Sequence, residues 1–234
     1  RDAQESRGLG DVYKRQDHGY VPIYLVKNNL SPAGIAMDVN KGPLEKAQEH
    51  IREEKIGGKI ATRLGNGLAP LEPGETDTVI IAGMGGDLIC KILKAKPEFL
   101  IEGKEFILQP QSEWFKIRRL LKEYRYQIEK EWFLKEDGKY YVIIKAEPAW
   151  TQPQRLKHQQ PSIHEYIKEI SDTQVNQAVS EKDMESIYEQ YGKYLIETKN
   201  PVLKEYLEKE ITKKESIAAE LKQLSLIHIS EPTR

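Results

Sequence analysis

Between Ala33 and Pro148 the apolar positions switch repeatedly between two spacings. AGIAMDV (Ala33–Val39) is a short apolar run ending in Asp38, the pattern of a strand buried on both faces. KGPLEKAQEHIREEKI follows, with Leu44, Ala47 and Ile51 on one face of an amphipathic helix. KIATRLGNGL reads as a strand leading into a glycine turn. TDTVIIAGMGG is a β-branched run that breaks into a glycine-rich loop before the helical DLICKILKA. EFILQPQ predicts a further strand and SEWFKIRRLLKEY a further helix. YQIEKEWFLKEDGKYYVIIKAEP predicts a hairpin turning at Asp137-Gly138. Upstream, Pro22 suits the first turn of a short helix through IYLVKN. Strands alternating with helices predict an α/β fold: a doubly wound, mostly parallel sheet closed by an antiparallel hairpin.

From about Trp150 the pattern changes. A polar, proline-bearing link (TQPQRLKHQQP) leads to helical spacing through Ile163, Ile167 and Ile170, then Ile187, Tyr191 and Leu195. Asn200-Pro201 interrupts the run, and Leu203, Leu207, Ile211 and Leu221 resume it. The short break predicts an antiparallel, coiled-coil-like helical pair.

The two ends are expected to be foreign. SRGLGDVYKRQ (Ser6–Gln16) and LSLIHISEPTR (Leu224–Arg234) are each eleven residues long. Read in opposite directions, every position admits complementary codons, from Ser6 against Arg234 (TCT with AGA) to Gln16 against Leu224 (CAG with CTG). One DNA element read on both strands encodes both ends, and it resembles a transposon-end sequencing adapter. Gly8 and Gly10 therefore only imitate a nucleotide loop, and Leu224–Ile229 only imitates a strand. The expected division is 1–16 non-native, 17–149 an α/β domain lacking its first strand, 150–223 a helical module, and 224–234 non-native.

Composition adds bounds. The chain has 234 residues, 38% hydrophobic and 31% charged, with a formal net charge of −1. That length suits one α/β domain plus an appendage. No apolar run approaches the roughly 18 residues of a membrane span, and no signal-like opening is seen. The single cysteine, Cys90, excludes an internal disulfide and a zinc-type pair. A cytoplasmic protein is expected. Near-neutral net charge neither requires nor excludes nucleic acid, since a local basic face suffices.

Ligands of open α/β sheets bind beyond the carboxyl ends of the strands. There, Asp38 can accept the hydroxyl protons of a ribose, or equally cap the next helix. Asn66, between Gly65 and Gly67, can meet an adenine edge or simply make a turn. Gly83-Met84-Gly85-Gly86 allows close backbone approach, with Met84 a soft apolar contact, although tight strand–helix packing also calls for small residues. Asp17 and His18 are a vicinal acid and histidine at a strand end; His50, His158 and His164 read as surface positions. No metal-ligand spacing, Ser-His-Asp arrangement or GxxxxGK[ST] loop is present.

DHGYVPIYLVKN, MDVNKGPLEKAQ, RLGNGL, IIAGMGGDLI, FILQPQ and LKEDGKYYVIIKAEP, in that order, resemble the bacterial tRNA (adenine22-N1)-methyltransferase family over Asp17 to about Pro148. The resemblance implies a Rossmann-like sheet binding S-adenosylmethionine and a coiled-coil pair helping to hold tRNA; no metal and a monomeric state are expected. It implies cofactor contacts from His18, Asp38, Val39, Asn66, Gly67, Ala82 and Gly83. The target base would meet Met84, Gly85, Gly86, Gln109 and Pro110. Asp17 would be the catalytic carboxylate, facing the positive charge that develops on the ring. Lys116, Arg118 and Arg119 would grip tRNA, with Lys122, Arg125, Lys204, Lys213 and Lys214 as further candidates or as plain solvated lysines and arginines. Three departures stand out. Gly65-Asn66-Gly67-Leu68 replaces a Gly-Asp-Gly-Leu, and Gln111 replaces an asparagine. Adapter replaces the family's first strand, whose glycine loop faces the methionine half of the cofactor, so its loss can disable catalysis. The rival readings are a dinucleotide oxidoreductase, which needs a GxGxxG after that strand, and a non-catalytic RNA-binding adaptor.

Overall fold

The computed structural model describes residues 19–151 and 181–229. Helix α1 (Tyr20–Lys27) precedes strand β1 (Gly34–Asp38), helix α2 (Lys41–Glu53) and strand β2 (Ile60–Leu64). Strand β3 (Thr78–Met84), helices α3 (Gly86–Ala95) and α4 (Pro97–Ile101), strand β4 (Glu105–Pro110) and helix α5 (Trp114–Glu123) follow. Strands β5 (Tyr126–Glu136) and β6 (Lys139–Pro148) form the hairpin. Its turn residues Asp137 and Gly138 both have positive φ, 48° and 76°, the twist that two-residue hairpins favour. The tail holds α6 (Glu181–Tyr191), α7 (Lys193–Glu197) and α8 (Pro201–Ile229).

The parallel pairs β1–β2 and β3–β4 and the antiparallel hairpin match the expected architecture, with one difference. Among the described residues the sheet is in two parts, β1-β2 and β3-β4-β6-β5. The apolar interior divides in the same way. Ile23, Val26, Ile51 and Ile60 cluster around the first part, and the large core from Leu68 to Leu203 surrounds the second. Ile35 and Met37 of β1 pack against that larger core and join the two. β1, expected to be buried on both faces, is only half-buried at all five positions, and β3 alternates: Val79 and Ile81 are buried while Ile80 is 37% exposed. Among the described residues β1 and β3 are edge strands, each paired on one side only, and the residues of an edge strand stay partly open to solvent.

Helix α4 is not legible in the apolar spacing, being a single turn opened by Pro97. It nonetheless inserts Phe99 and Leu100, both fully buried. The Tyr126 hydroxyl donates toward the carbonyls of Phe99 (3.4 Å) and Leu100 (3.2 Å) at the end of this turn, and burial pushes its pKa up.

In the tail, the single run expected through Ile187, Tyr191 and Leu195 is broken at Gly192, whose φ is 90°. Asn200 ends the second interruption by capping α8: its Oδ1 accepts from the backbone N–H groups of Val202 and Leu203, both at 3.0 Å. Leu195 and Leu203, 0% and 3% exposed, belong to the main core, and Tyr206 packs against Trp114, Phe133 and Tyr140. The base of the helical module is thus built into the α/β core. The Ile163–Ile167–Ile170 pattern lies outside the described residues. Helix α8 continues to Ile229, so the run Leu224–Ile229, strand-like in composition, is helical. Extending an existing helix costs no new nucleus, which outweighs β-propensity there.

Candidate functional site

Four loops follow the carboxyl ends of the parallel pairs β1–β2 and β3–β4. At the end of β1 the Asp38 Oδ1 accepts from the N–H of Asn40 at 2.7 Å, folding a tight turn before α2. Asn40 occupies the cap position, so Asp38 is not the cap of that helix. Its Oδ2 takes no hydrogen bond from the described residues, and the residue is partly exposed. Val39 beside it is 61% exposed.

The second loop is tied directly to the first. Gly65 donates its N–H to the carbonyl of Asp38 at 3.0 Å, which sets the exposed Asn66 next to the Asp38 turn. The glycines here have packing reasons: a Cβ on Gly65 would lie 2.2 Å from the Pro70 ring, and one on Gly67 (φ 55°) 2.8 Å from Ile92. Gly67 thereby packs this loop against α3, the helix that follows the third loop.

At the third loop, β3 bulges between Ala82 and Met84. Gly83 takes φ 79° and donates its N–H to the Gln109 Oε1 at 2.8 Å. A left-handed residue at an exposed loop favours glycine. Ala82 is exposed and Met84 is 37% exposed, so both stand on the open side of the loop. Gln109 is held by its oxygen, and its buried Nε2 has no hydrogen-bond partner among the described residues. An unpaired buried amide donor is costly, and it is a natural partner for a ligand acceptor.

Gly85 and Gly86 face the other way. Gly86 is buried, donates its N–H to the Ser112 carbonyl at 2.9 Å, and would place a Cβ 2.6 Å from the Glu113 carbonyl oxygen. A Cβ on Gly85 would lie 3.2 Å from the Ser112 hydroxyl. Asp87 N–H donates to Glu113 at 3.2 Å. The expectation that Gly86 touches substrate is corrected: it is buried, and the 111–113 loop occupies the start of α3, while Gly85 beside it is half-buried. Pro110 is buried and likewise shapes the strand end rather than an open surface. Sequence reasoning passed over Ser112 and Glu113, because nothing in spacing or composition says which backbone will cover a small residue.

Arg118 was expected to meet phosphate and is instead buried, 5% exposed, with its Nε on Glu131 at 2.8 Å. Lys116 bridges Glu113 (2.5 Å) and Asp87 (2.9 Å), which raises its pKa and leaves its charge balanced. Arg119 is exposed but pairs with Glu189 at 2.9 Å, and Lys122 pairs with Glu185. The basic face of α5 is therefore met by acids of α6 rather than left open. Arg125, Lys213 and Lys214 are exposed. Asp17 and His18 lie outside the described residues. Among the described residues no cluster of histidine, cysteine and acid side chains could hold a metal, and no helix is long and apolar enough to cross a membrane.

Lys91 and Lys116 together lower the Asp87 pKa to about 2. A carboxylate with a depressed folded pKa contributes stability that is complete above its unfolded pKa of about 4 and is lost as pH falls toward the folded value. Asp87→Asn should therefore flatten the loss of melting temperature between about pH 4 and pH 2. A pH profile identical to that of the parent chain would show that this cluster contributes nothing.

The family profile for tRNA (adenine(22)-N(1))-methyltransferase matches residues 15–190. A tRNA (adenine(22)-N(1))-methyltransferase of Bacillus subtilis (strain 168) is 33% identical over 192 residues, covering 68% of this chain and 79% of the relative. The crystal structure of the B. subtilis tRNA methyltransferase superposes with a TM-score of 0.68 at 28% identity, covering 93% of this chain and 80% of that one. A Streptococcus pneumoniae tRNA methyltransferase homologue, crystallised with S-adenosyl-L-methionine, gives a TM-score of 0.67 at 28% identity, covering 89% and 83%.

Proposed function

The chain belongs to the tRNA (adenine(22)-N(1))-methyltransferase family, and on that premise we propose that the loops after β1, β2 and β3 bind S-adenosylmethionine for methylation of N1 of an adenine in tRNA. One observation carries this reading at the site: the Gly65 N–H to Asp38 carbonyl bond ties together the backbones of the turn that carries Asp38 and the loop that carries the exposed Asn66. These residues fit the nucleoside half of the cofactor. Asp38 Oδ2 accepts from ribose hydroxyls, the Asn66 amide meets the adenine edge, and Val39, Gly67, Ala82 and Gly83 line the path between them. The methionine half falls to the segment containing His18, outside the described residues. When bound, the cofactor supplies an electrophilic methyl group on a sulfonium.

The protein's own work is alignment. Adenine N1 carries an in-plane lone pair at neutral pH, so no strong base is required, and orientation dominates. The base must leave the tRNA stack and come to rest against the exposed Met84, near the Gln109 amide, whose Nε2, unpartnered among the described residues, offers a donor. As positive charge grows on the ring, the carboxylate of Asp17 stabilises it. Residues 17–149 form the catalytic domain and 150–223 the tRNA-binding module; the protein acts as a monomer in the cytoplasm. With Arg118 buried, the phosphate contacts fall to exposed cations such as Arg125, Lys213 and Lys214.

Asp17→Ala should slow methyl transfer about tenfold while changing cofactor affinity less than about twofold, a split between rate and binding. Equal losses in both would make Asp17 a cofactor or folding residue. The family reading itself is tested by calorimetry with S-adenosylmethionine and NAD: binding of the first alone supports it. NAD binding would return the dinucleotide oxidoreductase, and binding of neither by a folded chain would return the RNA-binding adaptor.

A further inference from the structure

Among the described residues, Arg118 and Glu131 are the charged side chains of the buried core, 5% and 2% exposed. Their position is unusual as well as their burial. Arg118 projects from α5, Glu131 from β5, and the pair lies under the joint between α6 and α7. Nε of Arg118 donates to the Glu131 Oε1 at 2.8 Å. Nη1 donates to the carbonyls of Glu189 at 3.0 Å and Gln190 at 2.9 Å, in the last turn of α6. Those carbonyls have no partner within their helix and carry its negative dipole end, so a guanidinium satisfies them in both hydrogen bonding and charge.

Gly192 forms the roof. With φ of 90°, a Cβ there would fall 2.3 Å from the Glu131 Oε2 and 2.8 Å from the Arg118 Nη2. Neither of those two atoms has a hydrogen-bond partner among the described residues. Burial raises the Glu131 pKa while Arg118 opposes the shift, so the acid depends on this one partner for its charge. On the surface the same two helices are pinned by Arg119 to Glu189 and Lys122 to Glu185.

A pair this dry, with two of its atoms unpartnered, contributes less to stability than equally large apolar side chains would. What it adds is direction: a planar fork that reads two particular backbone carbonyls fixes both the register and the rotation of α6 on α5. At its other end α5 is joined to the glycine loop, through Ser112 and Glu113 against Gly86 and Asp87. One helix thus connects the loop at the sheet end with the foot of the tail.

We propose that Arg118, Glu131 and Gly192 form the joint that sets the angle of the helical module on the catalytic domain, and so act as positioning residues for tRNA. The second clause rests on the tRNA reading above. The test uses the full chain carrying Arg118→Met with Glu131→Leu, a swap of similar volume that removes both charges and spares the surface pairs. Urea unfolding establishes that the variant is at least as stable as the parent chain. S-adenosylmethionine affinity should stay within about twofold, since the pair touches none of the loops that hold it. Hydrogen exchange at the backbone amides of residues 188–196 should quicken about tenfold or more, because α6 has lost two charge-assisted bonds. Affinity for a fluorescent tRNA transcript should fall about tenfold. Arg118→Lys, which keeps charge without the fork, should restore only part of either.

Unchanged exchange in a stable double variant overturns the joint. Faster exchange with unchanged tRNA affinity overturns its role in positioning tRNA. If the parent chain binds no tRNA, the functional reading fails on its own account, and the exchange comparison still decides whether the pair is the joint.

Discussion

Asp38→Ala should weaken S-adenosylmethionine binding about a hundredfold. A carboxylate accepting two ribose hydroxyl protons makes two charge-assisted hydrogen bonds, each worth roughly 1.5 kcal/mol or more, and about 3 kcal/mol corresponds to about two decades in Kd. The same side chain also folds the turn before α2, by accepting the Asn40 N–H at 2.7 Å. Asp38→Asn separates the two roles. Its carbonyl oxygen keeps the turn, while its amide replaces the second acceptor by a donor. If ribose binding is the main role, the asparagine variant melts like the parent chain and binds the cofactor nearly as poorly as the alanine variant. An asparagine variant with undiminished affinity would reduce Asp38 to a turn former.

The second large effect concerns folding. Glu131→Ala strands the Arg118 guanidinium in the core with its Glu131 bond gone, and breaking a buried pair from one side costs about 3–5 kcal/mol. That is a large share of the roughly 5–15 kcal/mol by which domains are stable. Urea denaturation reads it as a lower midpoint at an unchanged slope. Adding Arg118→Met to the same chain should recover much of the loss, since no uncompensated charge then remains. A loss below about 1 kcal/mol for Glu131→Ala would mean that water reaches the pair and that it is not part of the core.

Much of the fold was legible because the strands and helices differ in period. The run TVIIAGM reads as a β-branched strand ending in a glycine loop, and Asp137-Gly138 announced its hairpin. Asp38 and Asn66 were legible as residues at the end of β1 and in the loop after β2, because each stands at or just past the end of a strand-like run. What failed, failed for lack of tertiary information. Arg118 sits in a helix with Lys116 and Arg119 and looks like one more surface cation; its burial depends on Glu131, thirteen positions on in a different element. Gly86 looked like a ligand contact because close approach by a ligand and by the chain's own 111–113 loop demand the same residue. Helix α4 was hidden because one turn is too short to display a period, although Phe99 fills the core. Gly192 was read through as part of a helix, and only the atoms around its missing Cβ explain it.

The most direct measurement is methyl transfer itself. The chain is incubated with isotope-labelled S-adenosylmethionine and an unmodified tRNA transcript carrying an adenine at position 22, and the digested nucleosides are separated by mass spectrometry. Label should appear in 1-methyladenosine and be lost when that adenine is replaced by another base. Label in a different nucleoside, or none from a folded chain that binds both cofactor and tRNA, would contradict the proposed function.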